Sequence, residues 1–332
     1  MWSDQPLETL LQEQLRRLPD PVGTTLFADY VAARRFVTEE IAGLIPTAEP
    51  DLTDHSANHL ADVMKRAFNL VGDKADYFSP PELYLLAVSI LFHDVGNLHG
   101  RLDHGKKIAG IYNACRHEED RFNTERHAVL AIAGAHTGST RDGSKDTLRE
   151  VLPFSFRGEP IRGQELAAVL RLADELAEGP HRTSAYVLNH GGYKRESAIF
   201  HRYASAAEYS IDSSRIALSY TVNMDRGENG LEVGKELPLQ EFLTFCYSRI
   251  AKVDEERRYC KHYCNLLSRL KETGAWFGFW FKGNPVNLDL EALSISDLTV
   301  PGEHPKNIVQ LNARYEPETL VPKLESECKG SL

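Results

Sequence analysis

No apolar run in this 332-residue chain approaches the roughly 18 residues a membrane-spanning helix needs, so no membrane span is expected. The stretch "MWSDQPLETLLQEQLRRLPD" at the amino terminus has neither a basic leader nor an apolar core, so no signal peptide is expected. Excess positive charge is missing as well. Thirty-eight Lys and Arg face 48 Asp and Glu, a formal net charge of −10. A protein that coats nucleic acid needs a basic surface, so no extended nucleic-acid interface is expected; a small nucleotide in a locally basic pocket stays compatible. Cysteine is scarce and odd in number. Cys115, Cys246, Cys260, Cys264 and Cys328 are scattered, which suits reduced thiols in a cytoplasmic protein. Cys260 and Cys264 flank His262 in "YCKHYC", but no second ligand pair follows at zinc-finger spacing, so buried thiols are expected. Internal repeats and low-complexity segments are also absent.

What is present has ordinary globular composition, 42% hydrophobic and 26% charged, in a chain long enough for one large domain or two. Residues 1–185 read as helices. "PLETLLQEQLRRL" places Leu7, Leu10, Leu11, Leu15 and Leu18 at helical spacing. "TTLFADYVAARRFVTEEIAGLI" predicts a helix capped by Thr24 or Thr25 and stopped at Pro46. "SANHLADVMKRAFNLV" follows, and then "PPELYLLAVSILFHDVG", capped by Ser79 and ended by Gly96. "TERHAVLAIAGAH" and "GQELAAVLRLADELAEG" supply two more. Residues 186–332 change character. "SAIFHRYASAAEYSIDSSRIALSYTVNM" predicts two or three strands, a helix runs from about Leu239 to Lys271, and "GAWFGFWFKG" reads as a buried strand before a Pro- and Gly-punctuated tail. The expected class is mainly α with a small β-containing C-terminal region packed on it, α+β overall.

Eight of the thirteen histidines lie between residues 55 and 136. Their positions repeat one theme. His59 shares a helical stripe with Val63 and Ala67; His93 and Asp94 follow the apolar run Ile90, Leu91, Phe92. His136 closes "AIAGAH", and Asp174 sits among Leu170, Ala173 and Ala177. Each would be costly buried and unpaired, and a shared divalent cation relieves all of them together.

The order His, His-Asp, distal Asp resembles the HD superfamily of metal-dependent phosphohydrolases over about residues 51–185, through "HLADVMKRA", "LFHDVGN" and "LRLADELAEGPHR". "GRLDH" and "AHTG" resemble the subset with extra histidines, which holds dinuclear enzymes. The resemblance implies an HD-type helical bundle. It also implies a first metal on His59, His93, Asp94 and Asp174, with His93 or Asp94 bridging, and a second on His104 and His136. Two alternatives stay open. His55 lies one turn before His59, and His127 competes with His104; Val63 and Ala67 favour His59, and distance from the His-Asp pair favours His104. His99 and His117 read as surface residues.

Mixed imidazole and carboxylate ligands suit two divalent transition ions, Mn, Fe, Co, Ni or Zn, over Mg. The expected reaction is attack of a metal-activated water on a nucleotide or related phosphoester, with His93 and Asp94 at its centre and Arg101 and Arg182 binding phosphate. Arg141 is a weaker phosphate candidate, and Lys106 and Lys107 read as solvated surface groups. Arg171 suits a structural pairing. Two other readings are a nucleotide or metal sensor that signals to a partner protein through the C-terminal region, and a di-iron oxygenase on the same scaffold. A homo-oligomer is compatible with all three.

Overall fold

The computed structural model describes residues 2–72, 74–102, 104–190, 192–234, 237–298 and 307–329. The chain forms two compact units, one of Met1–Ala177 with Tyr259–Ser268, the other of Glu178–Arg258 with Arg269–Leu332. The fold is mainly helical with a small C-terminal sheet.

The first unit contains α1 (Pro6–Leu15), α2 (Val22–Phe36), α3 (Ile45–Ala48), α4 (Ala57–Val71), α5 (Pro80–Phe92), α6 (His104–Cys115), α7 (Asn123–Gly134) and α8 (Gly163–Leu176). A hairpin of β1 (Phe154–Phe156) and β2 (Glu159–Ile161) precedes α8; its two-residue turn holds Arg157 and Gly158 at positive φ, the turn that suits strand twist. At the centre stands α5. Every residue from Pro81 to Phe92 is buried or nearly so, as expected of a helix apolar on all sides. Ser79 and Glu82 form a reciprocal capping box at its start, and Arg162 also holds the Glu82 carboxylate. The neighbours α1, α2, α4, α7 and α8 pack round it. Ala67 on α4 and Ala167, Ala168 and Ala173 on α8, all fully buried, let those two helices approach closely.

Three local expectations need correction. The second helix begins at Val22, and Thr24 donates its hydroxyl to the Pro21 carbonyl instead of capping. Pro46 is the second residue of the short α3, in a first turn where its missing N–H is harmless, so it does not stop the helix before it; that helix ends in a π-turn at Val37–Ile41. The helix α5 closes at Phe92, and Gly96 lies in a following 3-10 turn, Val95–His99.

A buried polar cluster ties the bundle together. The Glu125 carboxylate accepts from Tyr84 at 2.6 Å, from Tyr112 at 2.8 Å and from Arg116 Nε at 3.0 Å, and Arg116 Nη1 donates to the Asp29 carbonyl at 2.8 Å. Burial, reinforced by the Glu125 charge, pushes both phenols well above the ordinary tyrosine value. The phenols therefore serve as permanent donors to Glu125.

The second unit contains α9 (Ala185–Asn189), α10 (Arg195–Ala206), β3 (Ala207–Ile211), β4 (Arg215–Gly227), β5 (Gly230–Glu232), most of α11 (Leu239–Tyr263), β6 (Glu272–Phe281), β7 (Asn284–Val286), β8 (Leu293–Ser296), α12 (Ile308–Leu311) and α13 (Pro317–Lys329). Strands β3, β4, β6 and β7 lie in that order; β4 and β6 run parallel, and β5 and β8 add to β4 and β6. "SAIFHRYASA" is helical, contrary to the strand expectation, because Tyr203, Ala204 and Ala206 bury one side of a helix. "GAWFGFWF" is a strand as expected, but only half buried. Phe277, Phe279 and Phe281 enter the core, with Phe277 stacked on Tyr220 at 4.6 Å, while Trp276 and Trp280 face out. Part of the Pro- and Gly-punctuated tail, 299–306, lies outside the described residues.

Candidate metal centre

Five helical segments of the first unit deliver the histidines and aspartates to one place. Ser56 caps α4 by accepting from the Asn58 N–H, which sets His59 in the first turn with Leu60, Val63 and Met64 buried behind it. His93 caps the carboxyl end of α5, and Asp94 opens the 3-10 turn. His104 begins α6, His136 follows α7, and Asp174 lies in the last turn of α8.

The two oxygens of Asp94 face different partners. Its Oδ2 lies 3.2 Å from His93 Nε2 and 3.5 Å from His59 Nε2, and Asp174 Oδ1 lies 3.1 Å from His59 Nε2 and 3.5 Å from His93 Nε2. Its Oδ1 lies 3.3 Å from His104 Nε2 and 3.5 Å from His136 Nε2. Ligands about 2.1 Å from an ion stand roughly 3.0–3.4 Å apart at the edges of an octahedron or tetrahedron, close to these separations. Two sets of ligand atoms thus come together, His59, His93, Asp94 and Asp174, and Asp94, His104 and His136.

Backbone carbonyls fix which nitrogen faces inward. His93 Nδ1 donates to the Ile90 carbonyl at 2.8 Å, His104 Nδ1 to that of Arg101 at 3.1 Å, and His136 Nδ1 to that of Ala133. Each Nε2 is left as a lone pair aimed at the cluster, the arrangement a ligating imidazole needs. His104 and His136 then oppose two lone pairs at 3.3 Å, which is repulsive unless a cation or proton sits between them. Among the described residues the Nε2 atoms of His59 and His93 are buried and make no well-directed hydrogen bond, although carboxylate oxygens stand 3.1 Å and 3.2 Å away. A bound divalent cation resolves both penalties, so the donor set fits a metal.

Without an ion the cluster satisfies itself by protonation. Burial opposes charge on His93, but the Asp94 and Asp174 carboxylates overcome it and hold its pKa well above the ordinary histidine value. Burial likewise opposes charge on Asp94 and Asp174. The surrounding imidazoles, led by His93 at Asp94 and by His59 at Asp174, hold both well below the usual carboxyl range. The signs define a window. The His93 contribution to stability is complete below its ordinary pKa and is lost as pH rises through the raised one; the carboxylate contributions are present above the ordinary carboxyl range and are lost as pH falls through the lowered values. Metal-free protein should therefore be most stable between those limits. An entering ion must displace the His93 proton, so metal affinity should weaken about tenfold per pH unit while His93 is protonated. Calorimetry in buffers of different ionisation enthalpy should show a proton released on binding; uptake without proton release would contradict this.

The remaining sequence candidates take varied places. His55 Nε2 lies 3.7 Å from Asp94 Oδ2, slightly farther than His59 Nε2 at 3.5 Å; it is nearer solvent than the fully buried His59 and belongs to neither set. His127 is exposed with its ring edge-on to Phe154 and belongs to neither set. Arg101 is exposed directly after the 3-10 turn, and Arg182 is buried in the second unit. Arg171 donates to Thr147 Oγ1 at 2.8 Å and covers the Tyr259 ring, a structural role. Lys107 is no simple surface lysine: its Nζ donates to the carbonyls of His99 and Gly100 and clamps the 3-10 turn. The pair Cys260 and Cys264 is buried, with Cys264 directed at Glu165.

Sequence reasoning missed what orients the site, because the carbonyls of Ile90, Arg101 and Ala133 have no side-chain code. Gly96 was legible only as a breaker. A Cβ there would come 1.9 Å from the His104 carbonyl oxygen, so the glycine permits the contact that brings His104 to Asp94. Gly96→Ala should push α6 away and lower metal content from two ions towards one, with His59, His93, Asp94 and Asp174 retaining theirs. Elemental analysis checks this; undiminished two-ion occupancy would refute it.

The sequence model of a family described as HD-CE matches residues 49–230, more than half of the chain and all of both ligand sets. No curated protein matches the chain.

Proposed function

The chain belongs to the HD-CE family, and from that membership and its His/Asp cluster we propose a dinuclear metal-dependent phosphohydrolase acting on a nucleotide or related phosphoester. At a coarse level, family and cluster fit a metal-dependent HD-type hydrolase. The observation that carries the finer reading is the division of Asp94, whose Oδ2 faces one histidine pair and whose Oδ1 faces another. A carboxylate so placed can span two ions about 3.5–4 Å apart. When bound, such ions supply an acidified water and neutralise charge on phosphoryl oxygens.

The chain's own residues perform the rest. The three Nδ1-to-carbonyl bonds hold His93, His104 and His136 in one tautomer and orientation, so little reorganisation is needed when substrate arrives. His59 and His93 are fully buried, whereas His55, His104 and Asp174 retain some exposure, which leaves one side of the cluster open to a substrate. Arg101, in the segment between Asp94 and His104, is proposed to take a phosphate oxygen pair through its guanidinium. The ions are proposed to be Mn, Fe, Co, Ni or Zn, matching the histidine-rich donor set.

The test combines elemental analysis with a nucleotide and phosphoester panel across these metals. Release of phosphate or nucleoside phosphate that chelation abolishes would support the reading. Fully loaded protein that turns over no member of the panel would end it.

A further inference from the structure

We propose that the outer face of the C-terminal sheet is a carbohydrate-binding platform built on Trp276 and Trp280. The proposal is independent of the metal centre. These two residues are 50% and 37% exposed and share the solvent side of β6. They stand four residues apart, about 13 Å along the strand. Between them lies Gly278, where a Cβ would meet Trp276 Cη2 at 2.8 Å. The outer edge of the six-membered ring of Trp276 therefore lies against the glycine, where a side chain would displace it. Half of Trp276 stays open to water.

The neighbouring strand adds short polar groups in register. On β4, Ser219 pairs with Trp276, Thr221 with Gly278 and Asn223 with Trp280, and all three are exposed. Among the described residues none of these three side chains is committed to a protein hydrogen bond. Hydroxyls and an amide can each both donate and accept. This is the complement of a sugar ring, which presents a C–H face to an aromatic plane and hydroxyls around its rim. Charge excludes the main competitor. Along the rows Ser219, Thr221, Asn223 and Gly278 carry no charge; Arg215 lies over Gly274 at one end, and Glu208 and Asp225 border the rows. A phosphate backbone needs a basic track beside its aromatic platform, and a neutral glycan does not.

The test uses native affinity electrophoresis of the full chain in gels holding glycogen, xylan or hydroxyethylcellulose. Fluorescence titrations with maltohexaose, cellohexaose and chitohexaose accompany it. At least one glycan should retard the protein. Trp276→Ala and Trp280→Ala should each weaken that binding at least tenfold while circular dichroism shows the fold retained, since both side chains lie on the solvent side of β6. No retardation by any glycan, or retardation that survives both substitutions, would overturn the proposal. So would binding of poly(dT) in place of glycan, or a dimer in sedimentation that Trp276→Ala disperses, which would make the face an interface between copies.

Discussion

Asp94→Ala should strip both ions from the protein and lower metal-dependent turnover by at least about 10³-fold, roughly 4 kcal/mol of barrier. No other residue in the cluster has this reach. Asp94 belongs to both ligand sets, one oxygen to each, whereas His59, His93 and Asp174 serve only the first, and His104 and His136 only the second. The comparison series follows directly. His104→Ala or His136→Ala should lose one ion and keep the other, His59→Ala should lose the first, and His55→Ala should keep both, because its Nε2 stands outside the sets. Elemental analysis of each purified variant reads the result without reference to activity. Asp94→Ala protein that still holds two ions would contradict the bridging role. One that holds a single ion with full turnover would contradict the two-ion reading.

Glu125→Ala should destabilise the first unit by about 3–5 kcal/mol, which for a unit of this size lowers Tm by roughly 6–20 °C. The substitution strands the Arg116 guanidinium, almost wholly buried, and leaves the hydroxyls of Tyr84 and Tyr112 without their acceptor. Removing one partner of a buried pair is costly because the other charge stays behind. Glu125→Gln keeps an acceptor for the phenols and should lose less. The cluster joins α5, α6 and α7, so the loss should also loosen the two segments that carry His104 and His136. Added metal should then recover part of the stability by mass action, about 2.7 kcal/mol at a hundredfold excess over Kd. Chemical denaturation with and without metal measures both effects. A loss below about 1 kcal/mol would show that the cluster is not a main support of the bundle.

Much of the site was legible because its chemistry sits on strongly patterned helices. His59 keeps step with Val63 and Ala67, and His93-Asp94 follows twelve buried positions; a histidine or carboxylate on such stripes has to face inward. The order of these residues along the chain carried the family as well. Where periodicity was ambiguous, the reading slipped. "SAIFHRYASA" has aromatics and an isoleucine that suit a strand, yet packing against the sheet makes it α10. In "GAWFGFWF" composition marked a strand, but only the register with β4 decided that the phenylalanines turn in and the tryptophans out.

By itself, then, the sequence determined the helical class, the sheet-bearing C-terminal region and the set of side chains able to meet at a cation, since apolar spacing dictates which way a helical residue faces. Only the tertiary structure decided how those side chains meet. It alone turned one oxygen of Asp94 to each histidine pair, brought His104 against the 3-10 turn through Gly96, and returned Tyr259–Ser268 to the first unit. Such contacts join residues far apart in the chain through backbone atoms, and backbone atoms are the same at every position.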